Sequence, residues 1–333
     1  MKTAAKFIFV VVIVIMLLFL FGEQLGYTIP GRKKVDQDTR IVVIYKSINT
    51  GYEFWDVVKD GIAVAANEFG VLVKVVGPSS KSEEDVEAQI EILEQTIAEK
   101  PDAIVLVATD YNRMVEPVEK AKEEGIKIIT MDSGINSDVS ECFIATDNIE
   151  AGRKAADELV KLLDEDAVVA IIGHVQGTKT AIDREKGVRE GLARHNIKKI
   201  YGPYFSDGLS EKASRITKEL ISQKPEIKGI VGLNEGSTVG VARALKEMGL
   251  SGKIKLVGFD NSFDEIKLIE EGVIQATVVQ NPFNMGYRAI EMAVKSLKGE
   301  KIEKWINTGS VAVTKENMYS NENQRLLFPF IDK

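Results

Sequence analysis

The sequence predicts an α/β protein of two similar parallel-sheet lobes, preceded by an N-terminal membrane helix. Three observations point there. From Arg40 onward, short apolar runs suited to buried strands alternate with amphipathic stretches, as in a parallel sheet covered by helices. The rhythm starts afresh after residue 146, giving two β/α halves of similar size, roughly 40–146 and 147–280, and a short remainder. Ahead of them, Phe7 to Phe21 is an unbroken apolar run.

In chain order, the N-terminus comes first. Lys2 and Lys6 precede the apolar run, which with Ala4, Ala5 and Gly22 approaches the ~20 residues that span a bilayer. A cleaved signal peptide has the same basic start and apolar core. No A-x-A-like site follows, and no Cys for a lipid anchor, so residues 1–22 read as an uncleaved signal anchor in preference to a signal peptide. The form of an export signal places the body on the extracytoplasmic face of the membrane, or in the periplasm or medium if the segment is removed. The positive charges on either side, Lys2 and Lys6 against Arg32-Lys33-Lys34, nearly balance and do not decide orientation. Residues 23–39, with Gly26, Pro30, Gly31 and mixed charge, read as an exposed tether.

The first half opens with a strand Ile41–Tyr45, a loop Lys46–Gly51, a helix Glu53–Phe69 and a strand Val71–Val76. Ser82 is expected to open the next helix, with Glu83 and Glu84 in its first turn and Lys100-Pro101 at its end. A strand Ala103–Ala108, a helix Arg113–Glu124 closed by Gly125, a strand Lys127–Met131 and a short strand Cys142–Thr146 follow. In the second half, helices Ile149–Leu163, Ala181–His195, Ser210–Gln223 and Ser237–Met248 alternate with strands Ala167–Ile172, Ile200–Tyr204, Ile227–Leu233 and Ile254–Val257. A helix Phe263–Glu271, a strand Val273–Gln280, a helix Phe283–Gly299 and a strand Gly309–Val313 close the pattern, and 314–333 carries no periodic signal.

Composition narrows the function. With 333 residues, 44% hydrophobic and 28% charged, the chain has ample length for a core in each of two domains. A net charge of −7 gives no basic footprint for nucleic acid, and no helix-turn-helix precedes residue 40. The single Cys142 excludes an intramolecular disulfide, and among Phe143, Ile144 and Ala145 it reads as a small buried hydrophobe. There is no G-x-G-x-x-G after the first strand and no G-x-x-x-x-G-K-[ST], so dinucleotide and P-loop cofactors are not expected. His174 and His195 are the only histidines, and His195 lies in a polar helix end, so no metal pair is expected either. The chain therefore reads as a binding protein rather than an enzyme.

In open α/β sheets, ligands bind outside the carboxyl ends of the strands, and two lobes leave a cleft between those ends. Phe259-Asp260 follows the run ending at Gly258. An aromatic face beside a carboxylate suits a polyhydroxylated ring, whose C–H face stacks and whose hydroxyls donate. The alternative is Phe259 in the core and Asp260 capping the next helix. Asn49, Tyr52, Phe54 and Trp55 crowd the end of the first strand, where adjacent Phe54 and Trp55 diverge, one toward the core and one toward the cleft. Asp132-Ser133, Thr146-Asp147-Asn148, Arg184, Asn234 and Gln280 sit at other strand ends or helix starts, and capping alone would account for Asp147 or Asn148.

These residues carry a resemblance. Phe54-Trp55 ahead of Lys59-Asp60-Gly61, I-T-M-D ahead of A-T-D-N, R-E-K-G, L-N-E, V-G-F-D-N and T-V-V-Q-N-P occur in the order seen in periplasmic sugar-binding proteins of the ribose-binding type, which share their fold with lactose-repressor-type effector domains. The resemblance spans about 40–313. It implies a multi-strand hinge near 146–147, 280–282 and 308–310, with 40–146 plus 281–308 forming the N-terminal lobe and 147–280 plus 309–333 the C-terminal lobe. It implies stacking by Phe54 and Trp55, hydroxyl recognition by Asp132 and Arg184, a polar second-lobe set of Asn234, Asp260 and Gln280, and pocket aromatics at Phe259 and, by a looser match, Phe205. Two departures stand out. Ser133 replaces the usual arginine, and Asn49 to Tyr52 form a longer loop with Tyr52 near the usual asparagine. Both fall on hydroxyl-reading positions, so the ligand expected is a monosaccharide or related polyol, not ribose in particular. The implied membrane partner is an ABC importer permease or, alternatively, a sensor histidine kinase for which the protein is the ligand-recognising co-receptor.

Overall fold

A computed structural model describes residues 38–328. The expected signal anchor over 1–22 and all but the end of the tether lie outside the described residues. Among the described residues no helix is long and apolar enough to cross a membrane.

The first half comprises β1 (Arg40–Ile44), α1 (Glu53–Phe69), β2 (Leu72–Val76), α2 (Val86–Ala98), β3 (Ala103–Leu106), α3 (Val115–Glu123), β4 (Lys127–Met131) and β5 (Cys142–Ala145). The second comprises α4 (Asn148–Val160), β6 (Val168–Gly173), α5 (Lys179–Arg194), β7 (Lys199–Phe205), α6 (Ser210–Gln223), β8 (Ile227–Gly232), α7 (Glu235–Glu247), β9 (Lys255–Phe259), α8 (Phe263–Glu270) and β10 (Ala276–Gln280). The remainder is α9 (Pro282–Leu297), β11 (Trp305–Asn307), β12 (Ser310–Thr314) and α10 (Asn321–Leu327).

These strands form two six-stranded sheets, ordered β11-β5-β4-β3-β1-β2 and β12-β10-β9-β8-β6-β7. Every pairing is parallel except β10 with β12. The inner strands read as continuous apolar runs because helices cover both faces; Val43, Ile44, Ile104, Val105, Ile171 and Val231 are fully buried. The edge strand β2 is half-exposed and carries Lys74 at its centre, a charge that discourages pairing with a second sheet.

The chain passes between the sheets three times, after β5, after β10 and between β11 and β12. Side chains lace the three passages together. The Thr146 hydroxyl lies 2.9 Å from Gln280 Oε1, the Asp147 N–H donates to Asn307 Oδ1 at 3.1 Å, and the Thr308 N–H donates to the Ala145 carbonyl at 3.0 Å. After the second passage α9 returns to pack on α1.

Most expected elements occur within a few residues of their expected ends. Gly70 (φ 64°) closes α1 and Gly125 (φ 83°) lies just beyond α3. One boundary matters for function. The helix expected to open at Ser82 begins at Val86, capped by Asp85, whose side chain accepts the Ala88 N–H at 3.0 Å. Glu83 therefore lies outside the helix and is 3% exposed, where a first-turn glutamate would be solvated. Two elements carried no periodic signal: β11 has three residues, and α10 lies in the unpatterned tail.

Candidate functional site

The carboxyl ends of both sheets face a narrow cavity of about 30 Å³ between the lobes. Lys46, Tyr52, Phe54, Trp55, Glu83 and Asp132 line it from the first lobe, and His174, Thr180, Arg184, Asn234, Asp260 and Gln280 from the second.

The two lobes use one device to present a carboxylate. Asp132 directly follows β4 and Asp260 directly follows β9, both in the left-handed region (φ 59° and 80°). The short polar side chain of Asp tolerates that conformation better than most. Each residue keeps one sheet hydrogen bond, Asp132 N–H to Ile144 O at 2.9 Å and Asp260 N–H to Val278 O at 3.1 Å, while the turn carries its side chain to the cavity.

On the first-lobe wall, Lys46 Nζ donates to Asp132 Oδ2 at 3.0 Å and lies 4.0 Å from Glu83 Oε2 and 5.8 Å from the Trp55 ring centre. The Trp55 indole N–H donates to Glu83 Oε1 at 2.8 Å. Burial pushes the Glu83 carboxyl above its ordinary range, opposed chiefly by Lys46. Trp55 is held between Tyr45, at 4.8 Å, and the edge-on ring of Phe54, at 4.9 Å. All three are large rings whose packing fixes the orientation of the two that line the cavity.

On the second-lobe wall, the Arg184 guanidinium lies 4.5 Å from the centre of the Phe259 ring. Its Nε donates to Asn148 Oδ1 at 2.8 Å and Nη1 to the Leu233 carbonyl at 2.7 Å, leaving further N–H groups at the cavity wall. Asp260 accepts from Gln280 Nε2 at 2.7 Å and from the Glu235 N–H at 2.9 Å. Burial raises its carboxyl pKa, with Arg184 the main opposing influence. Asn234 caps α7 through the Ser237 N–H at 2.9 Å.

Eight of the expected residues line the cavity: Tyr52, Phe54, Trp55, Asp132, Arg184, Asn234, Asp260 and Gln280. Phe54 and Trp55 both reach it, whereas one was expected to turn to the core; Trp55, 7% exposed, does both. Four expected residues lie elsewhere. Asn49 is exposed and donates to Ser79 Oγ at 2.8 Å, because the loop after β1 runs along the end of β2. Ser133 is buried and accepts the Lys179 N–H of the opposite lobe at 3.2 Å. Phe205 ends the edge strand β7 and packs over Gly173, where any Cβ would lie about 3.0 Å from its ring. Phe259 is fully buried in the core and reaches the site only through Arg184. Asp147 caps α4, whereas Asn148 orients Arg184.

Sequence reasoning passed over Lys46, Glu83, His174 and Thr180. Lys46 and His174 stand just past β1 and β6, so the strand-end rule that singled out Asp132 applies to them too. Glu83 had no such signal, because its placement depends on where α2 begins.

The lobes are closed over the cavity. The Tyr111 N–H donates to the Gly177 carbonyl at 2.9 Å and the Ser82 hydroxyl to the Asp207 carbonyl at 3.1 Å. The Tyr52 ring reaches across to Gly208 and Gly236, where a Cβ on Gly236 would collide with its hydroxyl. Two glutamates face helix starts in the opposite lobe. The Glu53 carboxylate accepts the Phe263 N–H at the head of α8, 3.2 Å from both oxygens. Glu235 faces the backbone N–H groups of Glu53 and Phe54 at the head of α1, which has no side-chain cap of its own and favours a negative charge there. Burial, then Asp260, then Glu53 push the Glu235 carboxyl up to about 9.

Comparison with known proteins agrees with this architecture. The chain is 29% identical over 268 residues to the D-allose-binding periplasmic protein of Escherichia coli (strain K12), covering 78% of this chain and 85% of that one. It superimposes on a carbohydrate transporter solute-binding protein from Agrobacterium radiobacter, solved in complex with D-arabinose, with a TM-score of 0.83 at 33% identity, covering 87% of this chain and 99% of that one. A sugar transporter structure from Clostridium phytofermentans matches with a TM-score of 0.75 at 38% identity, covering 83% and 98%. The first two are named as binding proteins. The model of the periplasmic binding protein domain matches residues 41–301, and with that span and two lobes closed over a polar cavity, the chain belongs to the periplasmic binding protein family.

Proposed function

We propose that this chain is an extracytoplasmic, membrane-tethered receptor for a monosaccharide or related polyol, which closes around its ligand and presents it to an ABC importer. One observation carries the reading: the aromatic rings of Phe54 and Trp55 share a small cavity with Lys46, Asp132, Arg184 and Asp260. A sugar ring has apolar C–H faces and a girdle of hydroxyls, each both donor and acceptor. The rings accept the C–H face, the two carboxylates accept hydroxyl protons, and the two cations donate to hydroxyl oxygens. The relative named for D-allose and the one solved with D-arabinose support the ligand class, and Tyr52 in the cavity, with no arginine after Asp132, separates this site from the usual ribose pattern.

Thermal unfolding of the purified chain against a panel of pentoses, hexoses and polyols tests the reading. One sugar is expected to raise the midpoint clearly, since a ligand at about 100 times its Kd adds ~2.7 kcal/mol. A panel that leaves the midpoint unmoved would remove the proposal.

Closure also gives a pH signature. In the closed state Glu235 keeps its proton up to about pH 9, against an ordinary value of 4.5 once water reaches it. A raised acid favours the closed state below its ordinary pKa, and this contribution is lost as pH rises toward the closed-state value. Sugar affinity is therefore expected to fall from about pH 5 to pH 9, by up to about tenfold per pH unit. Glu235→Gln keeps an acceptor for the α1 N–H groups and should flatten the profile; calorimetric titration across that range checks it.

The apolar run Phe7 to Phe21 without a cleavage signal supports the tether. A permanent anchor also suits a fixed complex with a sensor kinase, whose membrane helices it could contact. N-terminal sequencing of membrane-extracted protein tests the anchor, and a mature end near residue 23–30 would refute it. Co-purification with a permease or with a kinase separates the two partners.

A further inference from the structure

We infer that His174 reads the ligand directly: its Nδ1 is a hydrogen-bond acceptor reserved for one hydroxyl of the bound sugar, and the threonine pair behind the ring holds it in that tautomer. The inference rests on the sugar-binding reading and adds a residue to it.

His174 is 2% exposed and lines the cavity. Its two nitrogens are in different situations. Nε2 lies 2.9 Å from Thr180 Oγ1 and 3.3 Å from Thr178 Oγ1, while Nδ1 is buried without a hydrogen-bond partner among the described residues. A buried polar atom left unpaired costs free energy, so a site that keeps one has a partner in its working state.

The hydroxyl protons decide what Nδ1 offers. Thr178 donates to the Val175 carbonyl at 3.0 Å and accepts the Ala181 N–H at 3.2 Å, so toward the imidazole and Thr180 it can only accept. Thr180 lies 3.3 Å from Thr178 Oγ1 and can donate to it. With the ring proton on Nε2, a continuous chain runs from His174 to Thr180 to Thr178 to Val175, every donor finds an acceptor, and Nδ1 is a bare lone pair. With the proton on Nδ1, Thr180 turns its hydrogen to Nε2, the contact with Thr178 is lost, and a buried N–H is left without an acceptor. The first arrangement makes one more hydrogen bond. The surroundings agree with it. Burial first, then Lys46 and Arg184, hold the imidazolium pKa well below its ordinary value, so the ring is neutral, and two cations face a lone pair better than an N–H.

The same two cations explain why an acceptor is needed. Lys and Arg donate only. A sugar hydroxyl that accepts from Lys46 or Arg184 still carries its own proton, which needs an acceptor in a site without bulk water. Asp132 and Asp260 accept other hydroxyls, but each shares its oxygens with protein donors, Asp132 with Lys46 and Asp260 with Gln280 and the Glu235 N–H. Nδ1 of His174 has nothing else to accept. The ligand class is thus a polyol ring with a hydroxyl donor at the second-lobe side of the cavity, and a deoxy or methoxy group there leaves Nδ1 unpaired.

The test uses the full chain, the sugar that stabilises it most and that sugar's monodeoxy analogues, with affinities by titration calorimetry. The wild-type chain should bind one analogue 10- to 100-fold more weakly than the parent, and in His174→Phe that penalty should disappear for that analogue alone, with the parent weakened by a similar factor. Thr180→Val keeps the ring and removes its proton relay, so it should lose part of the discrimination while melting close to wild type. Nitrogen-15 spectra of the wild-type imidazole give a reading that needs no variant: Nδ1 should show the signal of an unprotonated nitrogen and shift when sugar is added. If His174→Phe discriminates the analogues as wild type does, or Nδ1 carries the proton, the inference fails while sugar binding stands. If no sugar binds the wild-type chain, both fall together.

Discussion

Asp260→Ala is expected to lower sugar affinity by about 100- to 1,000-fold while the apo protein still folds. The magnitude comes from what the carboxylate leaves behind. Arg184, 2% exposed, loses the carboxylate beside it, and the Gln280 amide and Glu235 N–H lose their acceptor. Truncating one partner of a buried charged network costs about 2–5 kcal/mol, mostly as a penalty on the groups left unpaired. Alanine adds a separate cost, because position 260 has φ 80° and a left-handed alanine is disfavoured by about 1–2 kcal/mol. Asp260→Asn separates the two effects. Asparagine tolerates the left-handed turn and keeps the shape but carries no charge, so it should melt near wild type and still bind about 10- to 100-fold more weakly. Calorimetric titration with the best sugar, beside apo melting curves, checks both. An Asn variant with wild-type affinity would show that the charge at this strand end is structural.

The second large effect is on stability. Gly61→Val is expected to cost about 3 kcal/mol or more, and to lower the urea midpoint accordingly or prevent folding of the first lobe. Gly61 on α1 faces the Phe283 carbonyl on α9, and Gly286 on α9 faces the Val58 carbonyl on α1; a Cβ at either position would lie inside the opposing backbone. Neither carbonyl belongs to a flexible side chain, so the helices would have to part. The crossing also fastens the segment that returns to the first lobe after β10, so its loss loosens chain remote in sequence. The second lobe repeats the device, with Gly152 on α4 and Gly187 on α5 each closed against the other helix's backbone. Val64→Ser on the exposed side of α1, where the side chain is 47% exposed, is the control and should stay within about 0.5 kcal/mol of wild type.

These predictions also mark how far the sequence is legible. The alternation of elements was readable because a parallel sheet buried on both faces demands apolar runs, and each run demands a covering helix. The strand-end rule then located Asp132, Asn234, Asp260 and Gln280 at the cavity, because strand polarity alone decides which end of a parallel sheet a loop occupies, and Arg184 follows from the helix that starts at that end. Lys59-Asp60-Gly61 stood out as a motif without a reason; the helix crossing supplies one.

Where the reading diverged, the deciding contacts lie far apart in sequence. Glu83 left its helix and met Trp55 and Lys46, respectively 28 and 37 positions earlier in the chain. Phe259 turned from the cavity into the core and became a platform for Arg184, 75 positions away. Glu53 and Glu235 looked like ordinary first-turn acids, yet each faces a helix start in the other lobe. Sequence by itself determined the two lobes, their sheets' polarity and the end at which chemistry gathers, because these follow from local hydrophobic period and chain direction. Only the tertiary structure decided which side chains at that end meet, which carboxylates share a buried charge and which histidine nitrogen is left to a ligand, because those outcomes depend on burial and distance between residues that local pattern does not relate.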